Sequence, residues 1–202
     1  MSTIESIRAE AMGLPVGQPA TSRMFLHFGS RAAVDQALSR LVKEGALVRP
    51  ARGVYMRPVK NAYVGDVPPE PERIAEVIAR ETGSVIQVHG AEAARRMGLS
   101  TQVPMRPVFY TSGPTRNVRL GRMNVLLKRI SPRKLALTGR PAGVALTALW
   151  YLGKNAVDIR SVERIRERLG SEEFAVLKSA SSVMPGWMHD VFIRHAAATA
   201  DD

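Results

Sequence analysis

In the stretch GSRAAVDQALSRLVKEGALVRPARGVYMRP (29–58), apolar side chains recur at Val34, Ala37, Leu38, Leu41 and Val42. That i, i+3, i+4, i+7, i+8 spacing predicts a helix with one buried face. Ser30 stands where a hydroxyl can cap the first turn, and Gly45 where a left-handed residue can end the last. Leu47, Val54 and Tyr55, interrupted by Pro50 and Gly53, then predict two short strands joined by a turn between Arg49 and Arg52. Upstream, Ile4, Ile7 and Ala11 mark one face of a first helix. TSRMFLHFG reads as a short second helix headed by Thr21, with Phe25, Leu26 and Phe28 as core candidates and Gly29 as the following turn.

Helix, short helix, helix and hairpin is the element order of a winged helix-turn-helix. A helix that enters a major groove needs apolar residues inward and short polar or basic residues outward. Here the outward set is Ala32, Gln36, Ser39 and Lys43, with Arg40 at its flank and Arg31 in the first turn. Base reading is assigned to the first two turns of the helix headed by Ser30, through Arg31, Ala32, Gln36, Ser39 and Arg40. Arg40 suits guanine, Gln36 adenine, and Ala32 a thymine methyl. Phosphate contacts, which position without reading sequence, fall to Ser22, Arg23, Lys43, Arg49 and Arg52. The partner expected for this domain is DNA.

Beyond the hairpin, GDVPPEPE (65–72) is acidic and proline-rich, and is the candidate linker. The expected division is a winged-helix domain over 1–64 and a mixed α+β domain over 65–202. In the second domain PERIAEVIARETG predicts a helix, SVIQV a strand and GAEAARRMGL a short helix. RPVFYTS, NVRL and NVLLKRI predict three strands. From Pro141 the pattern is helical through PAGVALTALWYLG, DIRSVERIRERLG, SEEFAVLKSASSVM and PGWMHDVFIRHAAA. The fold class is α+β: a small sheet with helices around it.

Charge sharpens this picture. The 202-residue chain carries a net charge of +11, which favours phosphate-bearing partners or anionic surfaces. No acidic residue falls between Glu92 and Asp158, an interval rich in arginine and lysine. Unrelieved charge of one sign disfavours a compact state, so the interval predicts a second surface for an anionic partner. Its candidates are Arg116, Arg119, Lys128, Arg129, Arg133 and Lys134. Strand alternation prevents all of these from converging, and Lys128, Arg133 and Lys134, beside a strand end and a turn, are its expected centre.

Several function classes recede. There is no cysteine, which removes disulfides and thiolate chemistry. No apolar run approaches the roughly 20 residues that span a bilayer, and the first residues lack a secretory hydrophobic stretch. A cytoplasmic protein is expected. His27, His89, His189 and His195 form no HExxH pair, the glycines form no phosphate-binding loop, and Ser30, Thr101 and Ser131 lack an evident base. Neither an enzyme, a metal site nor a cofactor is expected. Two further readings are open: a regulator whose second domain senses a small ligand, and an RNA-binding protein. Phe109 and Tyr110 are adjacent and face opposite sides of a strand, which argues against a base-stacking sheet.

The segments RAAVDQALSRLVKEGALVRPARGVY and GAEAARRMGLSTQVPMRPVFYTSGPTR together resemble the AbiEi-like antitoxins of type IV toxin–antitoxin modules. The resemblance covers roughly Ile4 to Arg129 and is strongest at ALSRLVKEG, RGVY and GLSTQVP. It implies an N-terminal winged helix that represses its own operon by binding promoter repeats. It further implies a C-terminal domain that counteracts a nucleotidyltransferase-like toxin from the neighbouring gene, without a stable complex.

Overall fold

The computed structural model of the chain describes residues 2–63, 65–67 and 69–199. Helix α1 (Thr3–Gly13) starts at a capping box in which the Ser2 hydroxyl accepts from the Glu5 N–H and the Glu5 carboxylate accepts from the Ser2 N–H. Two-residue strand β1 (Ala20–Thr21) leads into a 3-10 helix (Ser22–Phe28), and then comes α2 (Arg31–Lys43). Strands β2 (Val48–Ala51) and β3 (Val54–Met56) form the hairpin, and β1 adds to it antiparallel in the order β1-β3-β2. The pattern does not foretell β1, which is too short to show alternation.

The core beneath α2 comprises Ile7, Phe25, Val34, Leu38, Leu41 and Leu47, none more than 1 % exposed. Arg57 locks the frame by donating to the carbonyls of Met12 (3.0 Å) and Leu14 (2.9 Å), so β3 is tied to the end of α1. This arrangement is compatible with a winged helix-turn-helix.

A second hairpin follows: β4 (Val59–Asn61) pairs antiparallel with β5 (Gly65–Val67). The front of the expected linker is therefore strand, because Gly65–Val67 finds backbone partners in β4. Helix α3 (Pro71–Glu81) starts with proline in its first turn, where the missing N–H costs nothing, and packs against β1. The chain forms two compact units, residues 1–84 with 117–125, and 85–116 with 126–202. The first unit thus extends beyond residue 64, since α3 buries Ile74, Ala75 and Ala79.

The second unit contains β6 (Ile86–Val88), α4 (Gly90–Arg96) and β7 (Val108–Thr111). Strands β8 (Arg116–Leu120) and β9 (Met123–Arg129) include residues 117–125 of the first unit; the strand order is β6-β7-β9-β8, with β6 antiparallel and β9 parallel to β7. Helix α5 (Pro141–Leu152) is buried along most of its length and packs on α4, α6 and β6. Its Arg140 cap position offers no side-chain acceptor; instead Glu173 accepts from the Ala142 N–H at 2.9 Å and from Arg140 Nη2 at 2.6 Å. Helix α6 (Ile159–Ser179) breaks at Gly170, whose φ of 73° and ψ of 174° are not helical. The two predicted helices meet at this glycine, where the pattern ends the first of them. Helix α7 (Gly186–Ala198) closes the unit on Met188, Val191 and His195. The molecule is α+β with small sheets.

Acidic groups on this unit are held far below their usual range. Arg95 donates to both Glu92 oxygens at 2.7 Å and Arg96 to one at 2.9 Å, and Arg95 foremost pulls the Glu92 carboxyl down to about 2. Arg166, then His195, do the same to Glu163, also to about 2. A depressed carboxyl contributes stability that is complete above its ordinary 4.5 and is lost as pH falls through its folded value. The thermal midpoint is therefore expected to drop between about pH 4.5 and about pH 2. Glu92→Gln should flatten part of that drop, and an unchanged pH profile in this variant would show that the Arg95 pair does not form in solution.

Candidate nucleic-acid interface

Helix α2 divides cleanly. Val34, Ala37, Leu38 and Leu41 are buried, while Arg31, Ala32, Gln36, Ser39, Arg40 and Lys43 are exposed. Ser30 caps the helix by accepting from the Ala33 N–H at 3.3 Å, which orients the first turn. The same face also carries two carboxylates that the pattern reading left out. Asp35 accepts from Arg31 Nε at 3.2 Å, and Glu44 accepts from Arg40 Nε at 3.0 Å and from Arg8. Arg8 and Arg40 together hold the Glu44 carboxyl below its usual range. The i, i+4 spacing of both pairs on α2 was visible in the sequence.

These pairs change individual assignments. Gln36 and Ser39 lie open at the middle of the face. Arg40 lies in the last turn and not the first two, so its reach is towards the C-terminal end of α2. Exposed ion pairs contribute about 0–1 kcal/mol, so a nucleic-acid acceptor can displace Asp35 or Glu44 at small cost.

At the hairpin, Arg52 is exposed at the turn and Gly53 takes a φ of 75°, a conformation that disfavours side-chain-bearing residues. Arg49 is exposed, with its guanidinium carbon 5.7 Å from the Tyr55 ring centroid. Arg23 is exposed on the 3-10 helix. Ser22 differs from the rest: it is 4 % exposed, and its N–H donates to the Gly53 carbonyl at 2.9 Å. It fastens the hairpin turn to the 3-10 helix and presents nothing to a partner.

In the second unit the anticipated basic centre is brought together in part. Lys128 and Lys134 border one cavity, and the Lys134 ammonium lies 4.9 Å from the Trp150 ring centroid. Arg133 also lies over the Trp150 ring, its guanidinium carbon 5.6 Å from the centroid, but its N–H groups are taken up by the carbonyls of Val183 (2.9 Å) and Met184 (2.8 Å), which ties the turn before α5 to the segment before α7. Arg129 falls on the opposite sheet face from Lys128 by alternation. Arg119, which belongs to the first unit, donates to the Gly121 carbonyl at 3.2 Å, and Arg116 is half-buried. The acid-free interval is also less unrelieved than its sequence, because Arg95 and Arg96 pair with Glu92 and Arg140 with Glu173.

Three of the histidines have local hydrogen-bond partners. His89 Nδ1 accepts from the Ala91 N–H, His189 Nε2 lies 2.8 Å from the Ser181 carbonyl, and His195 Nε2 lies 2.6 Å from Glu163. Among the described residues no three His, Asp or Glu side chains cluster closely enough to hold a metal ion, and no helix is long and apolar enough to cross a membrane.

An exposed basic helix face beside an arginine-bearing hairpin marks an α+β protein with a candidate nucleic-acid interface on its first unit. Residues 14–177 match the model of the Family of unknown function (DUF6088), and the chain belongs to that family. No curated protein and no solved structure matches the chain.

Proposed function

We propose that this protein is a sequence-specific DNA binder whose first unit reads a duplex with α2 and grips phosphates with the β2–β3 turn. The observation that carries this reading is the division of α2 into a buried apolar face and an exposed face of Arg31, Gln36, Ser39 and Lys43. The net charge of +11 supplies the attraction for a polyanion. The resemblance to AbiEi-like antitoxins extends the proposal. In that reading the protein acts in the cytoplasm, represses its own operon and counteracts a neighbouring nucleotidyltransferase-like toxin through its second unit. It works by binding and not by catalysis.

The test is binding to the DNA upstream of its own gene against a scrambled duplex, over a range of salt. Preference for the upstream DNA is expected, with affinity falling steeply as salt rises. Arg49→Ala and Arg52→Ala should each weaken both duplexes alike and reduce the salt slope by about one unit. Equal affinity for the two duplexes would refute sequence reading, and a salt slope unchanged in the double variant would place the hairpin away from the phosphates.

A further inference from the structure

In the second unit, one sheet face and one side of α5 enclose a cavity of about 260 Å³. Strand register lines up Gln87, Tyr110 and Lys128 across β6, β7 and β9, so Tyr110 and Lys128 share that face. From α5 come Thr147, Trp150 and Tyr151, and from the turn before α5 comes Lys134. The wall is therefore aromatic on both sides. His89 extends it, with its ring centroid 4.9 Å from that of Tyr110 and 5.6 Å from that of Tyr151. The cavity is more enclosed than the 510 Å³ groove along α6 and α7.

Three features select the ligand. Lys128 and Lys134 are exposed at the cavity and make no ion pair with a described residue, so the mouth presents two positive charges that no carboxylate neutralises, the Lys134 ammonium lying against the Trp150 ring. Among the described residues no acidic side chain lines the cavity to repel an anion. Tyr110 stands on one wall and Trp150 and Tyr151 on the other, aromatic side chains that suit a planar ring. A ligand with a flat ring and a phosphate answers all three. The cavity lies below the roughly 300–1,000 Å³ of pockets for drug-sized ligands, which suits one ring inside with its phosphate at the mouth.

We infer that this cavity is a nucleotide site: a single base enters between Tyr110 and the α5 aromatics, and its phosphate is held by Lys128 and Lys134. The base comes from a free nucleotide or from the phosphorylated end of a single strand. Stacking of bases on aromatic rings is tolerant of base identity, so selectivity among bases is expected to be modest. The site is independent of duplex reading by α2, and its test uses no residue of the first unit.

The experiment titrates the full chain with each of the four ribonucleoside 5′-monophosphates at low salt, following tryptophan fluorescence. Trp150 and Trp187 are the two tryptophans, so Trp187→Phe leaves Trp150 as sole reporter. A saturable change is expected with at least one nucleotide, about tenfold weaker with the matching nucleoside that lacks phosphate. Lys128→Ala and Lys134→Ala should each cost about tenfold, whereas Arg194→Ala, an exposed cation that does not line the cavity, should cost nothing. A 5′-phosphorylated tetranucleotide that binds more tightly than the monophosphate assigns the site to a strand end, and one that binds no more tightly assigns it to free nucleotide. Absence of any saturable change, equal affinity for nucleoside and nucleotide, or an unaffected Lys128→Ala/Lys134→Ala double variant that retains its circular dichroism would overturn the inference.

Discussion

Gly143→Ala is expected to destabilise the second unit by about 3 kcal/mol or more, against the roughly 1–3 kcal/mol typical of overpacking. Gly143 lies in the first turn of α5, and a Cβ there would overlap the carbonyl oxygen of Leu137 and stand 3.0 Å from Gln87 Nε2. That carbonyl cannot swing away freely. It accepts from the Arg140 N–H at 3.1 Å, and Leu137 itself has a φ of 60°, the strained left-handed conformation for a side-chain-bearing residue. Relief would require moving the start of α5, which is pinned by Glu173 and buried against α4. The readout is the thermal midpoint, expected to fall by at least about 10 °C. Gly186→Ala is the control: nothing lies within 4 Å of its added Cβ and it sits in the first turn of α7, so it should be neutral or stabilising by up to about 1 kcal/mol. A Gly143→Ala midpoint equal to that of the unaltered chain would mean that α5 does not lie against this turn.

The second large effect concerns the reading face of α2. Arg31→Ala with Gln36→Ala is expected to weaken binding to the cognate duplex by about 2–6 kcal/mol, since each base contact contributes about 1–3 kcal/mol and separated contacts add roughly. On a scrambled duplex the loss should be close to that of one phosphate contact. Both side chains are exposed and neither supports the core, so the thermal midpoint should barely move. The Arg31 pair with Asp35 has its two side chains 63 % and 51 % exposed, and its loss carries little stability. Equal weakening on both duplexes would remove α2 from base reading and leave it a charged surface.

How much of this was legible in advance follows the range of the interactions involved. The buried face of α2 is set by residues within four positions of one another, so Val34, Leu38 and Leu41 could be placed from spacing alone. The strands at Val108–Thr111 and Met123–Arg129 could be placed the same way. Strand β1 could not: two residues show no periodicity, and Ala20 and Thr21 are extended because Tyr55 and Val54 lie opposite them. The start of the proline-rich stretch likewise becomes strand only because Val59–Asn61 folds back on it.

The candidate sites divide along the same line. Arg31, Gln36 and Ser39 could be assigned to the outside of a helix because one helix face excludes the other. Ser22 and Arg133 could not be judged, since their partners are a turn 31 residues on and carbonyls 50 and 51 residues on. Lys128 and Lys134 were recognisable as cations but not as neighbours of Trp150, which reaches them from a helix that begins after the turn.

What the chain's own pattern determined is therefore local: which segments are helix or strand, which face of each is apolar, and a positive charge that suits a phosphate-bearing partner. Tertiary structure alone decided the pairing order of β6, β7, β9 and β8, the choice of Glu173 as cap for α5, and the meeting of Tyr110, Lys128 and Trp150 around one cavity. The physical reason is that helix and strand preferences are settled by neighbours in the chain. A cap, an ion pair or a cavity is settled by groups that only the packed core brings within a few ångströms.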